Sequence, residues 1–250
     1  MGIMKEHKSI VVPGEIIANG MDFLPGEGTY RAGEDVIAQQ TGLLEVKGRL
    51  LKILPLAGKY LPQKGDTIIG KIIDITMSGW RVEINSAYSA MLPLKDATSA
   101  FIPRGGDLSK YYDFDDHIVC RISNVTGQML VDLSMRGPGL RKLEEGRIIQ
   151  VGPTKVPRVI GKQGSMVSMI KHATECKVII GQNGLCWISG NPKDELIAVD
   201  TIRMIEQNAH MSGLTDKVRE HLEQVTGKKL ELGNENDNRE DETGDQDDLQ

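Results

Sequence analysis

The sequence predicts a multidomain protein that is mainly β, with an α+β portion on its C-terminal side. Residues 1–63 and 64–137 consist of short β-branched or leucine-rich runs, cut by Gly and Pro, whose apolar positions repeat at a period nearer two than 3.6. Residues 146–230 instead combine strand-like runs with apolar stripes at helical spacing. Residues 231–250 hold nine acids, one arginine and no aromatic residue. We expect three folded domains followed by a disordered acidic tail.

The first block, residues 1–63, is predicted to be a small β domain. The runs SIVVPGEIIANG and TGLLEVKGRLLKILPL have the composition of short strands. Between them, the segment MDFLPGEGTYRAGED is rich in Gly and charge. Its composition predicts a loop.

The second block, residues 64–137, is predicted to form a small barrel. Its five strand-like runs are DTIIGKIIDIT, GWRVEIN, YSAMLPL, HIVCRISNV and MLVDLSMRG. In the second run Trp80, Val82 and Ile84 share one face, and Arg81 lies on the other. We interpret Trp80 as a core residue. Five strands with one longer insertion fit an OB-like barrel.

The third block, residues 146–230, has the order strand, broken helix, strand, strand, helix. GRIIQV reads as the first strand, and KVIIG and LCWISG as a hairpin around the dipeptide QN. Met166, Met169, Ile170 and Ala173 recur at helical spacing, which predicts an amphipathic helix with these side chains in the core. DELIAVDTIRMIEQNAH predicts a second helix, and a further amphipathic segment follows it.

The net charge of the chain hides a basic folded portion. The formal net charge is -5, and the tail, residues 231–250, contributes -8, so residues 1–230 carry +3. A mildly basic surface is compatible with an anionic partner.

Neither a membrane segment nor a secretion signal is predicted. No apolar run approaches the eighteen residues of a membrane span, and the N-terminal segment lacks an apolar signal core. Cys120, Cys176 and Cys186 form no C-x-x-C pair. We expect a cytoplasmic protein with reduced thiols, without metal or cofactor.

No set of catalytic residues stands out in the sequence. The densest acidic cluster of the folded part, Asp113–Asp116, precedes a predicted strand and is interpreted as a solvated turn. The segment GDTIIGKI resembles a phosphate loop, but Ile72 stands where the magnesium-binding Ser or Thr is needed. We therefore predict that the protein is not an enzyme.

One short motif has the chemistry of a phosphate-binding loop. Gly161, Lys162, Gln163 and Gly164 lie between an apolar turn and the amphipathic helix that starts near Ser165. Free N–H groups at a helix start attract anions, and glycine lets a sugar-phosphate backbone approach closely. Further basic residues flank the motif: Lys155, Arg158 and Lys171. The motif could also be a simple connection between two helices.

The context of this motif resembles a KH domain. The resemblance rests on the segment RVIGKQGSM and on the order of strands and helices in residues 146–230. In KH domains the Gly-x-x-Gly loop clamps about four nucleotides of single-stranded RNA. The resemblance implies that the loop and its flanking cations bind RNA.

Residues 64–137 resemble the OB-fold RNA-binding domain of ribosomal S-one type, through KGDTIIGKIIDITMSGWRVEI and VDLSMRG. The chain departs from that family at the base-stacking positions, where it has Ser78 and Arg81 instead of aromatics and Pro93 instead of histidine. RNA contacts of this domain are therefore expected to be electrostatic. The candidate cations are Lys71, Arg81, Arg121 and Arg136.

Residues 9–230 as a whole resemble the RNA-binding cap subunit of the archaeal exosome, in its variant with a KH domain. The resemblance uses SIVVPGEIIANG, the OB-then-KH order, and HMSGLTDKVREHLEQ. It implies a non-catalytic subunit whose N-terminal domain docks on a hexameric ring of RNase PH-like subunits. Three such caps would form a trimer that captures A-rich 3′ ends of single-stranded RNA for 3′-to-5′ degradation.

Two other functions remain open from the sequence. An OB–KH transcription or translation factor could grip nascent RNA, and co-purification with a polymerase or ribosome would favour it. A hydrolytic nuclease would reveal itself by magnesium-dependent loss of RNA.

Overall fold

The computed structural model describes residues 2–98, 106–211 and 213–228. It confirms the predicted fold class, with an N-terminal β domain, a five-stranded OB barrel and a KH domain. The predicted disordered tail, residues 231–250, lies outside the described residues. Among the described helices, none combines the length and the apolar character that a membrane crossing requires.

The N-terminal domain consists of two four-stranded sheets around a small apolar core. The strands are β1 (Gly2–Ile3), β2 (Ile10–Val11), β3 (Ile16–Asn19), β4 (Leu24–Pro25), β5 (Thr29–Ala32), β6 (Asp35–Ala38), β7 (Gly42–Lys47) and β8 (Leu50–Pro55). One sheet has the order β1-β3-β6-β5 and the other β2-β7-β8-β4. Ile17, Leu44 and Ile53 are buried between them.

The prediction of a loop for the segment MDFLPGEGTYRAGED is wrong, because this segment contributes strands β4 and β5. Strand β4 pairs with the distant β8, whereas β5 pairs with the adjacent β6. Gly26 N–H donates to the carbonyl of Leu51 at 2.8 Å, and the Thr29 hydroxyl donates to the same carbonyl at 3.1 Å. Long-range pairing of this kind overrides the local composition that favours a loop.

The second domain is a closed barrel. Its elements are β9 (Thr67–Thr76), β10 (Gly79–Glu83), β11 (Ser89–Pro93), α1 (Leu94–Ala97), a 3-10 turn (Leu108–Lys110), β12 (His117–Val125), β13 (Val131–Ser134) and the short β14 (Arg141–Lys142). The sheet order is β13-β11-β10-β9-β12-β14, and additional pairing of β13 with β12 closes the barrel.

Trp80 lies at the centre of the barrel, as predicted. Its side chain is fully buried, and its indole N–H donates to the carbonyl of Tyr112 at 2.9 Å. The Tyr112 ring meets it edge-to-face, with 5.2 Å between ring centroids. Because the indole is enclosed, it offers no face on which a base could stack.

The third domain has the KH order of elements. They are β15 (Arg147–Gln150), α2 (Val156–Ile160), α3 (Ser165–Thr174), β16 (Lys177–Ile180), β17 (Leu185–Ser189), α4 (Pro192–Gln207) and α5 (Leu214–Thr226). The antiparallel sheet has the order β15-β17-β16. Met166, Met169, Ile170 and Ala173 are buried, which confirms the predicted apolar face of α3.

The KH sheet is held between its own helices and the OB barrel. On the barrel side, Trp187 of β17 packs with Ile69, Val119 and Leu143. Asn183, in the turn between β16 and β17, is fully buried at the same contact. The turn therefore joins the two domains through their cores.

The Asn183 side chain is fully hydrogen-bonded to the barrel. Its amide donates to the carbonyls of Ile69 (2.7 Å) and Ile84 (3.0 Å), and its oxygen accepts from the N–H of Ile69 at 3.3 Å. A buried amide with three partners avoids the cost of unsatisfied polar groups. These bonds fix the orientation of the KH domain on the barrel.

Candidate nucleic-acid interface

The glycine motif forms a tight connection between α2 and α3. Helix α2 ends at Ile160, and α3 begins at Ser165. Gly161 has φ 79° and ψ 174°, Gln163 has φ 53°, and Gly164 has φ 81°. Three of the four loop residues thus have positive φ, the region that glycine adopts at least cost.

The two glycines differ in what surrounds them. A Cβ at Gly161 would lie 2.8 Å from both Cβ and the backbone nitrogen of the buried Met166. A Cβ at Gly164 would meet nothing within 4 Å. Gly161 therefore allows close packing against α3, whereas Gly164 leaves open space beside the helix start.

The start of α3 has the chemistry of an anion site. Gly164 supplies no capping side chain, and the first turn contains no acidic residue. Lys162 and Gln163 are exposed and, within the part of the chain that the structure describes, make no side-chain hydrogen bond or ion pair. The helix dipole, the absence of a side-chain cap and the free ammonium of Lys162 together favour a phosphate here.

The surroundings of the loop are basic. Between residues 155 and 177 there is one acid, Glu175, against five bases. Lys228 lies 2.5 Å from the Glu175 carboxylate, and this hydrogen-bonded pair holds the pKa of Glu175 below its usual range. The five bases are Lys155, Arg158, Lys162, Lys171 and Lys177.

Arg158 forms hydrogen bonds that the sequence does not predict. Its guanidinium donates to the carbonyls of Ala209 (3.0 Å) and Met211 (2.8 Å). These bonds tie α2 to the segment between α4 and α5. The charge remains beside the loop, but two of the five N–H donors are already used. Nothing in the sequence pattern marks these distant carbonyls as partners.

Lys71, the first barrel candidate, is engaged in an ion pair. Its ammonium lies 2.8 Å from the carboxylate of Asp115, which raises the pKa of Lys71 and lowers that of Asp115. Glu83 is its cross-strand neighbour. Burial, and secondarily the charge of Lys71, lowers the pKa of the nearby His117. RNA contact by Lys71 would have to compete with Asp115.

The remaining barrel candidates lie on or beside three other strands. Arg81 is exposed on the outer face of β10, where its cross-strand neighbours are Asp74 and Met91. Arg121 is exposed on β12, and Arg136 follows the end of β13. The four barrel candidates thus lie on or beside four different strands, whereas the loop cations belong to one short stretch of the KH domain.

Metal binding and nucleophilic attack place requirements on the acidic side chains, histidines and thiols of the described residues. In the described ranges, no three His, Cys, Asp or Glu side chains are grouped to hold a metal ion. Burial raises the pKa of the Cys120 and Cys186 thiols to about 12. Such thiols stay protonated and are poor nucleophiles at neutral pH.

Family models match three consecutive parts of the chain. Residues 8–57 match the exosome RNA binding protein RRP4 N-terminal domain, residues 59–103 match the RRP4 S1 domain, and residues 146–194 match a KH domain. The matches follow the order of the three domains described above.

Individual relatives cover most of the chain. An exosome complex component Rrp4 of Methanothermobacter thermautotrophicus is 39% identical over 230 residues, covering 92% of this chain and 73% of its own. The protein of the same name from Pyrococcus furiosus is 38% identical, with coverages of 88% and 84%. A solved structure described as an exosome complex RNA-binding protein aligns at 34% identity and a TM-score of 0.61, covering 67% of this chain and 97% of its own.

Proposed function

We propose that this chain, which belongs to the Rrp4 family of exosome complex components, is a non-catalytic RNA-binding subunit of an archaeal exosome. In this role it binds single-stranded RNA, favours A-rich 3′ ends and directs them to a degrading ring of RNase PH-like subunits. Three copies form the cap of one ring in the cytoplasm.

The observation that carries the proposal is the family match over all three domains in one order. The N-terminal, S1 and KH matches cover residues 8–57, 59–103 and 146–194, and relatives of the same name align over about nine-tenths of the chain. This favours the exosome over an OB–KH transcription or translation factor. It also favours an RNA-binding role over a nuclease.

The Gly161–Gly164 loop supports RNA binding through its geometry. It has open space at Gly164, an exposed ammonium at Lys162, and the uncapped start of α3 beside it. We assign the phosphate contacts of the RNA to this loop, with Lys155 and Lys171 as flanking charges. Contacts of this type depend little on base sequence and weaken with salt.

The exposed apolar side chains of the N-terminal domain support its role in docking. Large contiguous apolar patches on a soluble protein often bind other proteins. In the sheet of β2, β7 and β8, the exposed Ile10 and Leu54 are the cross-strand neighbours of Leu43 on either side, so apolar side chains adjoin each other there. We assign this surface to the ring subunits. Its large exposed members include Ile3, Met4, Ile10, Val12, Met21, Leu24 and Leu54.

The RNA assignment is tested by reversing the charge of the loop. The full chain with Lys162→Asp and Gln163→Asp should lose at least about tenfold in affinity for a labelled A-rich RNA, because repulsion replaces phosphate contacts. Fluorescence anisotropy at two salt concentrations measures this loss, and circular dichroism checks the fold.

A matched control carries the same charge change away from the loop. Lys193 on α4 and Gln224 on α5 are exposed, and Lys193→Asp with Gln224→Asp should leave RNA affinity nearly unchanged. Equal losses in both double variants would mean that net charge, and not the loop, determines binding. Unchanged binding in the loop variant would refute the assignment of the loop.

A further inference from the structure

We propose that the acidic tail, residues 231–250, folds back on the basic KH surface around the Gly161–Gly164 loop and competes there with RNA. The inference rests on the proposed RNA-binding function. It adds an intramolecular competitor that tunes how tightly the chain holds RNA.

The charges of the two segments are complementary. The tail carries nine carboxylates and one arginine. On the KH surface, Lys155, Lys162, Lys171 and Lys177 have no carboxylate partner among the described residues. Free ammonium groups on one side and excess carboxylates on the other attract each other across short distances.

The chain leaves the KH domain close to this surface. Lys228 pairs with Glu175, which directly follows the C-terminal end of α3. The loop lies at the other end of α3, and ten helical residues span about 15 Å. The tail therefore starts one short helix away from the loop.

The length of the tail is sufficient to cover this distance. Its densest acidic run, Glu240–Glu242, begins twelve residues after Lys228. Twelve residues can span up to about 40 Å when extended. Because the tail is tethered to the surface that it would cover, its effective concentration there is independent of the protein concentration.

Competition with RNA follows from shared contacts. A tail carboxylate that pairs with Lys162 binds the same ammonium group that an RNA phosphate would bind. The RNA phosphate must therefore displace the carboxylate. A chain free of RNA would hold the tail on the loop, and bound RNA would release it. Both contacts weaken as salt rises because the charges are screened.

The direct test neutralises the tail in the full chain. All nine tail acids are changed to their amides, Glu→Gln and Asp→Asn, so that length and composition are otherwise kept. The affinity for a labelled A-rich RNA should rise roughly tenfold at low salt, within the range of couplings between linked binding reactions. The gain should shrink as salt is added. A control tail with its residues in permuted order retains the charge and should behave as the original.

A second measurement locates the contact without RNA. Backbone amide NMR signals of residues 161–164 should shift between the original and the neutralised tail, whereas that of Val82, buried in the barrel, should not. Unshifted loop signals, or an unchanged RNA affinity in a neutralised chain that binds RNA, would overturn the tail proposal. If neither chain binds RNA, the proposed function fails, and the NMR comparison alone decides whether the tail contacts the loop.

Discussion

The two glycines of the loop have different physical tasks although they look equivalent in the sequence. Gly161 has ψ 174° at positive φ, a backbone region that is nearly exclusive to glycine, and it packs against Met166. Gly164 adopts the ordinary left-handed conformation beside open space. The first glycine holds α2 against α3, and the second leaves room for a ligand.

Alanine substitutions should separate these tasks. Gly161→Ala should destabilise the KH domain by about 3 kcal/mol, because a steric clash adds to backbone strain. Gly164→Ala should cost only about 1 kcal/mol, the strain of a left-handed alanine. Urea unfolding followed by circular dichroism measures both values. Equal costs for the two variants would contradict the packing role of Gly161.

For single residues, the sequence predicts whether a side chain is buried or exposed better than it predicts which groups the side chain contacts. The exposure of Lys162 and the burial of Trp80 follow from local pattern. The bonds of Arg158 to Ala209 and Met211 do not, because their partners are about fifty residues away and are backbone carbonyls. The pairing of Lys71 with Asp115 is equally remote in sequence.

Among the elements, the turn between β16 and β17 joins the KH domain to the barrel. The sequence predicts a hairpin around the dipeptide QN, and the structure has that hairpin. The sequence pattern does not predict the contact of this turn with the barrel. A Cβ at Gly181 would lie 2.8 Å from the nitrogen of Ile69, so this turn must approach β9 closely.

Removal of the Asn183 side chain should loosen this contact. Asn183→Ala leaves three buried backbone groups of Ile69 and Ile84 without partners, and we expect a loss of about 3 kcal/mol in unfolding free energy. The neighbouring Gln182 is exposed, so Gln182→Ala should change stability by less than about 0.5 kcal/mol. Hydrogen exchange at Ile69 should accelerate in the Asn183 variant only. Indistinguishable behaviour of the two variants would contradict the interface role of Asn183.

The strands β4 and β5 show why element prediction fails in one place. Their segment is rich in Gly and charge, and its strand character comes from pairing with β8 and β6. The amphipathic α3 is predicted correctly because its burial repeats within the helix itself. Periodicity detects an element whose buried face repeats along it. It misses β4, which has two residues and a partner distant in sequence, and β5, whose four residues are too few to show a clear period although it pairs with the next strand.

At the scale of the whole molecule, the three domains present different surfaces on one chain. The N-terminal domain exposes apolar side chains, the barrel forms the centre, and the KH domain presents the basic loop. The fixed contact between barrel and KH domain gives the loop a defined position relative to the rest. In a trimeric cap, three such loops would act on one RNA and raise its effective affinity without new contacts.

The most direct test of this account measures RNA affinity of the RNase PH-like ring alone, of the chain alone and of the two combined. We predict that the chain joins the ring and that the assembly binds A-rich RNA at least about tenfold more tightly than either part. The Lys162→Asp, Gln163→Asp variant should join the ring equally well and add little affinity. A chain that does not join the ring, or an assembly that binds RNA no better than the free chain, would contradict it.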